Sequence, residues 1–404
     1  MRGALLLLLL SALPSTGMAD IEASFRGYLD LRLVIPSNQV SWLDGGLGKL
    51  RYGEGDSNAQ FAGAVGEGDL LLTPELLVVG VGRAETEQRN FVDALEAYVR
   101  YRPVSTTAWR YSVKAGAFFP PFSLENKEIG WTSYWTLTPS AINSWFGDEL
   151  RTIGAEGSGE WRTQDGTLKL TGAVFGVNDP AGVMIADRGW SLDDTPTSLF
   201  DHLRLPDDTV QLFGQTPPQR TPLFEELDDR PGWYVGASWD DVEQWHLEID
   251  RYDNDGDPAA HDGDYFAWRT RFWNAGASWT RDEFTVLSQG VHGDTVIDPF
   301  TGFESTTEFD SAYLLLGWER GDWRLAARGD WFRTKTTTTF GDSPLLSENG
   351  RAVTGAMTWL PWSWLRLTGE VLWVGSTRDE RTLSSTDPRQ DEIQAQISAR
   401  LYYD

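Results

Sequence analysis

The chain is expected to form an all-β, transmembrane, antiparallel barrel of about 16 strands with long extracellular loops and a third loop folded inward. Three observations predict it. About 16 stretches of roughly ten residues alternate apolar with polar side chains. The connections between them are alternately short and long. Residues 1–19 have the layout of a secretion signal, with Arg2, an apolar run from Ala4 to Leu13, Pro14, and small residues up to Ala19. Residues 20–404 then remain as a barrel exported to the periplasm and inserted in the cell outer membrane.

The first mature segment shows the alternation. Ile21, Ala23, Phe25, Gly27, Leu29, Leu31 and Leu33 alternate with Glu22, Ser24, Arg26, Tyr28, Asp30 and Arg32. Successive side chains of a strand point to opposite faces, so one face suits lipid and the other water. The last segment repeats the pattern, with Ile393, Ala395, Ile397, Ala399 and Leu401 set against Gln394, Gln396, Ser398 and Arg400. Pairing of these two ends would close the barrel and leave no open edge in lipid.

Seven tight hairpin tips are expected near 66–69, 103–107, 163–166, 240–241, 281–282, 320–322 and 361–362. Trp109, Trp161, Trp239, Trp245, Trp279, Trp318, Trp323, Trp359, Trp362 and Trp364 collect around them. An indole prefers the headgroup level, so these tips trace one interface, taken as periplasmic. The longer connections are expected at 35–57, 84–89, 119–147, 178–231, 253–263, 296–306, 339–348 and 379–389.

Composition narrows the function classes. With 20 Trp, 12 Tyr and 19 Phe the aromatic load suits interfacial girdles. The net charge of −26 excludes a basic nucleic-acid surface. No cysteine is present, so neither a disulfide nor a thiolate metal site is expected, and no cofactor. The apolar run in the signal is about half the length of a helical membrane span.

Alternation places a mixed set of charges on the inward face. The basic members are Arg26, Arg32, Arg100, Arg110, Lys114, Arg162, Lys169, Arg269, Arg271, Arg324, Arg328, Arg366 and Arg400. The acidic members are Glu22, Asp30, Glu96, Glu156, Glu160, Glu248, Asp250, Asp330 and Glu370. The acid excess sits in loops. The fourth alone has eleven carboxylates against four arginines. A charged ring selects ions in a narrow channel, whereas charges paired across strands merely satisfy one another.

The third loop begins with Phe119, Pro120, Pro121 and Phe122 and continues through Trp131, Tyr134, Trp135, Trp145 and Phe146. Displayed outside the cell these would form a large apolar patch, so the loop is expected to fold into the lumen. Glu125, Lys127 and Glu128 would then face basic wall residues. The expected pore-lining set is Arg26, Glu96, Arg100, Arg110, Lys114, Glu125, Lys127, Glu128, Arg324, Arg328 and Arg366.

The segment Lys114-Ala-Gly-Ala-Phe-Phe-Pro-Pro-Phe-Ser-Leu-Glu-Asn126 resembles the strand-to-loop stretch of the phosphate-selective porin (porin O/P-like) family. The resemblance implies a sixteen-stranded barrel, usually trimeric, whose third loop lines a constriction. It also implies a water-filled channel for passive diffusion of small hydrophilic solutes or ions. The third loop departs from that family's basic constriction, holding no Arg and Lys127 alone beside Glu125 and Glu128.

Two further readings use other residues. A surface adhesin or receptor would employ the fourth loop. A barrel-embedded hydrolase would need a His beside Ser or Asp, and His246 lies near Glu248 and Ser238 in the alternation. The run Asp253-Asn-Asp-Gly-Asp257, followed by His261 to Asp264, resembles part of a calcium loop without its far Glu, and is more simply a solvated turn. The expected partners are outer-membrane lipid and lipopolysaccharide, small solutes, and two further copies of the chain.

Overall fold

The computed structural model describes residues 21–207 and 220–403. The signal segment 1–19 lies outside them. The first eight barrel strands are β1 Glu22–Ile35, β2 Ala59–Thr73, β3 Leu76–Ala84, β4 Val92–Tyr101, β5 Trp109–Phe118, β6 Thr152–Arg162, β7 Gly166–Gly176 and β8 Gly232–Asp241. The other eight are β9 Trp245–Asp253, β10 Arg269–Arg281, β11 Phe284–Phe300, β12 Phe303–Arg320, β13 Trp323–Thr338, β14 Glu348–Trp362, β15 Leu365–Arg378 and β16 Arg389–Tyr403. Each pairs antiparallel with the next. The barrel closes where β1 meets β16, from Gly27↔Tyr403 to Ile35↔Ala395.

Three expectations need correction. The first short turn is at Pro74 and Glu75, not at 66–69. Gly66 and Gly68 are strand residues paired with Gly82 and Gly80. Gly66 serves a close approach, because a Cβ there would meet the Phe25 ring at 3.0 Å. The sixth outer connection is not long either. The alternation of β11 and β12 continues through 296–306, and the chain reverses at Thr301 and Gly302, where Gly302 takes φ +88°. Arg269 and Arg271 face outward, since Thr270 and Phe272 are the buried inward residues on β10.

Two aromatic rims bound the apolar outer belt. At the lower rim Trp109 stacks on Trp161 at 5.9 Å and Trp323 on Trp359 at 5.8 Å. The upper rim, not foreseen, carries outward Trp233, Trp273 and Trp331, all exposed. From Trp323 to Trp331 the strand runs about 26 Å. Between the rims Leu314, Leu316, Leu325, Val353 and Met357 face lipid.

The third loop (119–151) fills the middle of the lumen. Its helix α1, Ala141–Glu149, is capped by Ser140, whose hydroxyl accepts from the Asn143 N–H at 3.3 Å, and all nine residues are buried. Phe122 packs edge-on against Tyr234, Tyr252 and Phe272. Trp145 does so against Phe309 at 4.9 Å. Each such buried side chain contributes about 1.5–3 kcal/mol, which explains why this loop turns inward.

The fourth loop adds a second layer. Its short helix α2, Val183–Asp187, meets α1 through one carboxylate: Glu149 accepts from the Gly182 N–H at 2.5 Å, the Met184 N–H and Trp145 Nε1. Gly182 takes φ +107°, and a Cβ there would lie 2.1 Å from Thr295 Oγ1 and 2.2 Å from Thr270 Oγ1. Gly182→Ala is therefore expected to weaken loop 4 seating by about 2–3 kcal/mol. Faster proteolysis within loop 4 at unchanged barrel content would register the effect.

Candidate constriction and its plug

Below the plug the inward charges of the wall pair across strands. Across β5 and β6, Lys114 lies 3.5 Å from Glu156 and Arg110 lies 3.5 Å from Glu160. Lys169 on β7 pairs in register with Glu160, and Arg100 on β4 with Lys114, so a ladder of charges runs around this side. On the opposite side Arg26 meets Glu67 at 2.5 Å, and Glu128 of the third loop meets Arg366 at 2.6 Å. A cavity of about 280 Å³ lies there, lined by Arg26, Lys127, Glu128, Arg366, Tyr28 and Tyr402 among others. Lys127 is exposed to it.

Four members of the expected set hold the third loop itself. Glu96 accepts from the Phe119 N–H at 3.0 Å and pins the root of the loop. Glu125 and Arg328 meet directly at 2.5 Å in a place closed to solvent, rather than facing each other across a gap. Arg328 also donates to Asp330, to the Thr138 and Pro139 carbonyls and to Thr136. Arg324 lies 3.3 Å from the centre of the Tyr134 ring and donates to that residue's carbonyl at 2.7 Å. The structure thus divides the eleven residues between a watered vestibule and the dry root of the plug.

Sequence reasoning missed the residues that tie loop 4 to the wall. Asp194 accepts from Arg32 and from Arg51 at 3.0 Å, and Arg400 stands 4.0 Å away. Arg83 donates to its carbonyl at 3.1 Å. Burial alone would raise the Asp194 carboxyl, but Arg32 and Arg51 hold it well below the usual carboxylate range. Lys49 of the first loop pairs with Glu348 on β14 at 2.6 Å. Arg32 has Gln60 and Ser398 directly across and Asp30 two positions along its own strand at 2.7 Å, so no pattern in the sequence called for a second acid from loop 4.

With both loops seated, inward residues are buried on every strand. The ring runs from Arg32 and Val65 through Arg83, Leu95, Phe118, Thr152, Phe175, Tyr234, Tyr252, Phe272, Val291, Phe309, Phe332, Ala352 and Val374 to Gln394. At this level the inward wall side chains are covered by loops 3 and 4, which narrow the lumen.

At the outer end Asp179, Glu226 and Asp228 bring carboxylate oxygens within 4.8 Å of one another. Such a group could hold a hard cation. Each member already accepts a backbone N–H, from Leu227, Val177 and Arg230 respectively, so the cluster also cross-ties the two ends of loop 4. From the acidic run of loop 5, Asp257 joins it through Arg230 at 2.9 Å. Burial pushes the Asp179 carboxyl up to about 7, opposed by the Leu227 N–H and reinforced by Asp228 and Glu226.

A carboxyl raised on folding adds stability that is complete below its unfolded value of about 4 and is lost as pH climbs through the folded one. Loop 4 is expected to be held more firmly at pH 5 than at pH 8, with proteolysis between 177 and 231 rising on the order of tenfold. Asp179→Asn should flatten that dependence. The His246 ring sits between two carboxylates, Asp240 at 2.7 Å from Nδ1 and Glu248 at 3.2 Å from Nε2.

No protein-family profile matches the chain, and no curated protein does. Solved structures do. OmpT, an outer membrane protein of Vibrio cholerae solved in a trimer form, superposes with TM-score 0.51 at 10% identity, covering 95% of this chain and 99% of that one. The outer membrane channel DcaP of Acinetobacter baumannii gives 0.53 at 10% identity, covering 95% and 97%. OmpF of Salmonella typhi, in complex with daunomycin, gives 0.53 at 9% identity, covering 94% and 97%. This likeness establishes the fold: the chain is a closed sixteen-stranded barrel of the kind that spans the outer membrane.

Proposed function

We propose that the chain is a porin, a channel for passive diffusion of small hydrophilic solutes or ions across the outer membrane after export on its signal segment 1–19. The observation that carries this reading is the division of the lumen. A cavity lined by Arg26, Lys127, Glu128 and Arg366, with Arg100, Arg110 and Lys114 inward on β4 and β5, lies beside a plug made of the chain's own third and fourth loops. Mixed charges around a low-dielectric wall focus the field on a permeating ion. Residues 178–186 and 188–198 of loop 4, which a surface adhesin would display, are enclosed instead. By likeness to the trimer form of OmpT, a homotrimer belongs to the reading.

Reconstitution in planar bilayers tests it. Stepwise conductance is expected from the folded protein, and its absence would overturn the proposal. Lys127→Glu should shift selectivity toward cations, because this side chain faces the vestibule. Reversal at Asp262, exposed on an outer loop, should leave selectivity unchanged.

A further inference from the structure

The outer wall carries a polar concavity that the apolar belt does not explain. Where outward positions reach the upper Trp rim, strand register sets Arg251 beside Trp273, Trp273 beside His292, and His292 beside Asp310. One pair farther out, Arg271 binds Asp294 at 2.7 Å. His292 Nδ1 is 2.8 Å from Asp310, which also takes Arg333 at 2.7 Å. Arg251 differs from its neighbours. Among the described residues no carboxylate lies within ion-pair distance of it, and its guanidinium sits 5.5 Å from the centre of the Trp273 ring. Arg251, Arg271, Trp273 and His292 border an open cavity of about 500 Å³ on the outside of the barrel.

We propose that this cavity binds a phosphate of an outer-leaflet glycolipid, with Arg251 as the principal contact and Arg271 and His292 flanking it. The location selects the ligand class, since a side chain that leaves the barrel at the upper aromatic rim meets lipid headgroups. A planar guanidinium matches phosphate oxygens two at a time, and an indole face steadies it from behind. Asp294 and Asp310 are occupied by Arg271, Arg333 and His292, and Glu308, which also borders the cavity, stands in register with Lys335, so Arg251 is the cation left for an incoming anion. Directly below, Ala275, Gly290 and Ala312 are cross-strand neighbours on the same outward face. A Cβ on Gly290 would meet nothing closer than the Ser311 carbonyl at 3.8 Å, which leaves room beside the cavity for an acyl chain. The inference rests on the membrane-spanning fold and is independent of the channel reading.

The test compares retention of a bis-phosphorylated glycolipid by the purified full-length protein after detergent exchange, read by native mass spectrometry. The wild type should retain it. Arg251→Gln should lose about tenfold in affinity, the effect of one charge-assisted contact. Trp273→Leu should weaken binding less, and Arg320→Gln, at a lower tip, should bind as wild type. A dephosphorylated glycolipid should not be retained, and millimolar inorganic phosphate should not compete. Equal retention by Arg251→Gln and wild type would overturn the proposal, as would equal retention of the dephosphorylated lipid or efficient competition by free phosphate. Conductance recorded on the same samples separates this outcome from failure of the channel reading.

Discussion

Asp194→Ala is expected to release loop 4 from the lumen and raise single-channel conductance severalfold. The carboxylate answers Arg32 and Arg51 and lies within reach of Arg400, all of them enclosed. Breaking a buried ion pair typically costs about 3–5 kcal/mol, and the cost here falls at the low end because Arg32 and Arg400 keep Asp30 and Arg51 keeps Glu85 and Glu87. The barrel has an alternative that a soluble domain lacks. Its strand ladders do not depend on the loop, so the strain is relieved by expelling residues 188–198 and admitting water to the guanidinium groups. Trypsin should then cut at Arg188, which is fully enclosed in the wild type, while the barrel stays folded. Unchanged conductance and unchanged protection in a folded sample would rule out Asp194 as the tie.

The second large effect is expected at the root of loop 3. Arg328→Met leaves Glu125 and Asp330 buried without their cation and strips donors from the Thr138 and Pro139 carbonyls. A loss of about 3–5 kcal/mol is expected in the seating of the segment 125–140. The released Glu125 would enter the vestibule beside Glu128, so conductance should rise and selectivity move toward cations. The double change Arg328→Met with Glu125→Leu removes both charges in place and should recover part of the closure, because well-packed apolar groups can replace a buried pair. If both variants behave alike, the pair does not hold the loop.

How much of this was legible beforehand depends on the range of each interaction. Alternation on β1 and β16 gave the two faces and the closure, because period-two burial is a property of a few consecutive residues. The Trp girdle marked the lower rim for the same reason, whereas the upper rim is spread over strands distant in sequence. Gly66 and Gly68 misled because a glycine that yields to a neighbouring ring looks, in sequence, like one that turns the chain. Arg271 misled because the inward phase on β10 is set by Phe272 and Asn274. The inward fold of loop 3 followed from its aromatics. That Glu125 and Arg328 would touch, 203 positions apart, did not follow from any local pattern. Asp194 was one acid among eleven in its loop. Its role appears only when β1, β3 and β16 bring their arginines to one place.

The seam between β1 and β16 has a consequence for the order of assembly. On the inner side of that seam Asp30 accepts from Arg400 at 2.8 Å and Ser398 at 2.6 Å, Arg32 donates to Gln396 at 3.0 Å, and Asp194 binds Arg32 from above. The first strand and the last, which must wait for each other, are therefore latched by a residue from the middle of the chain. Asp194 can meet Arg32 and stand beside Arg400 together only when the two edges have joined, so the seating of loop 4 reports on closure and reinforces the seam that completes the wall.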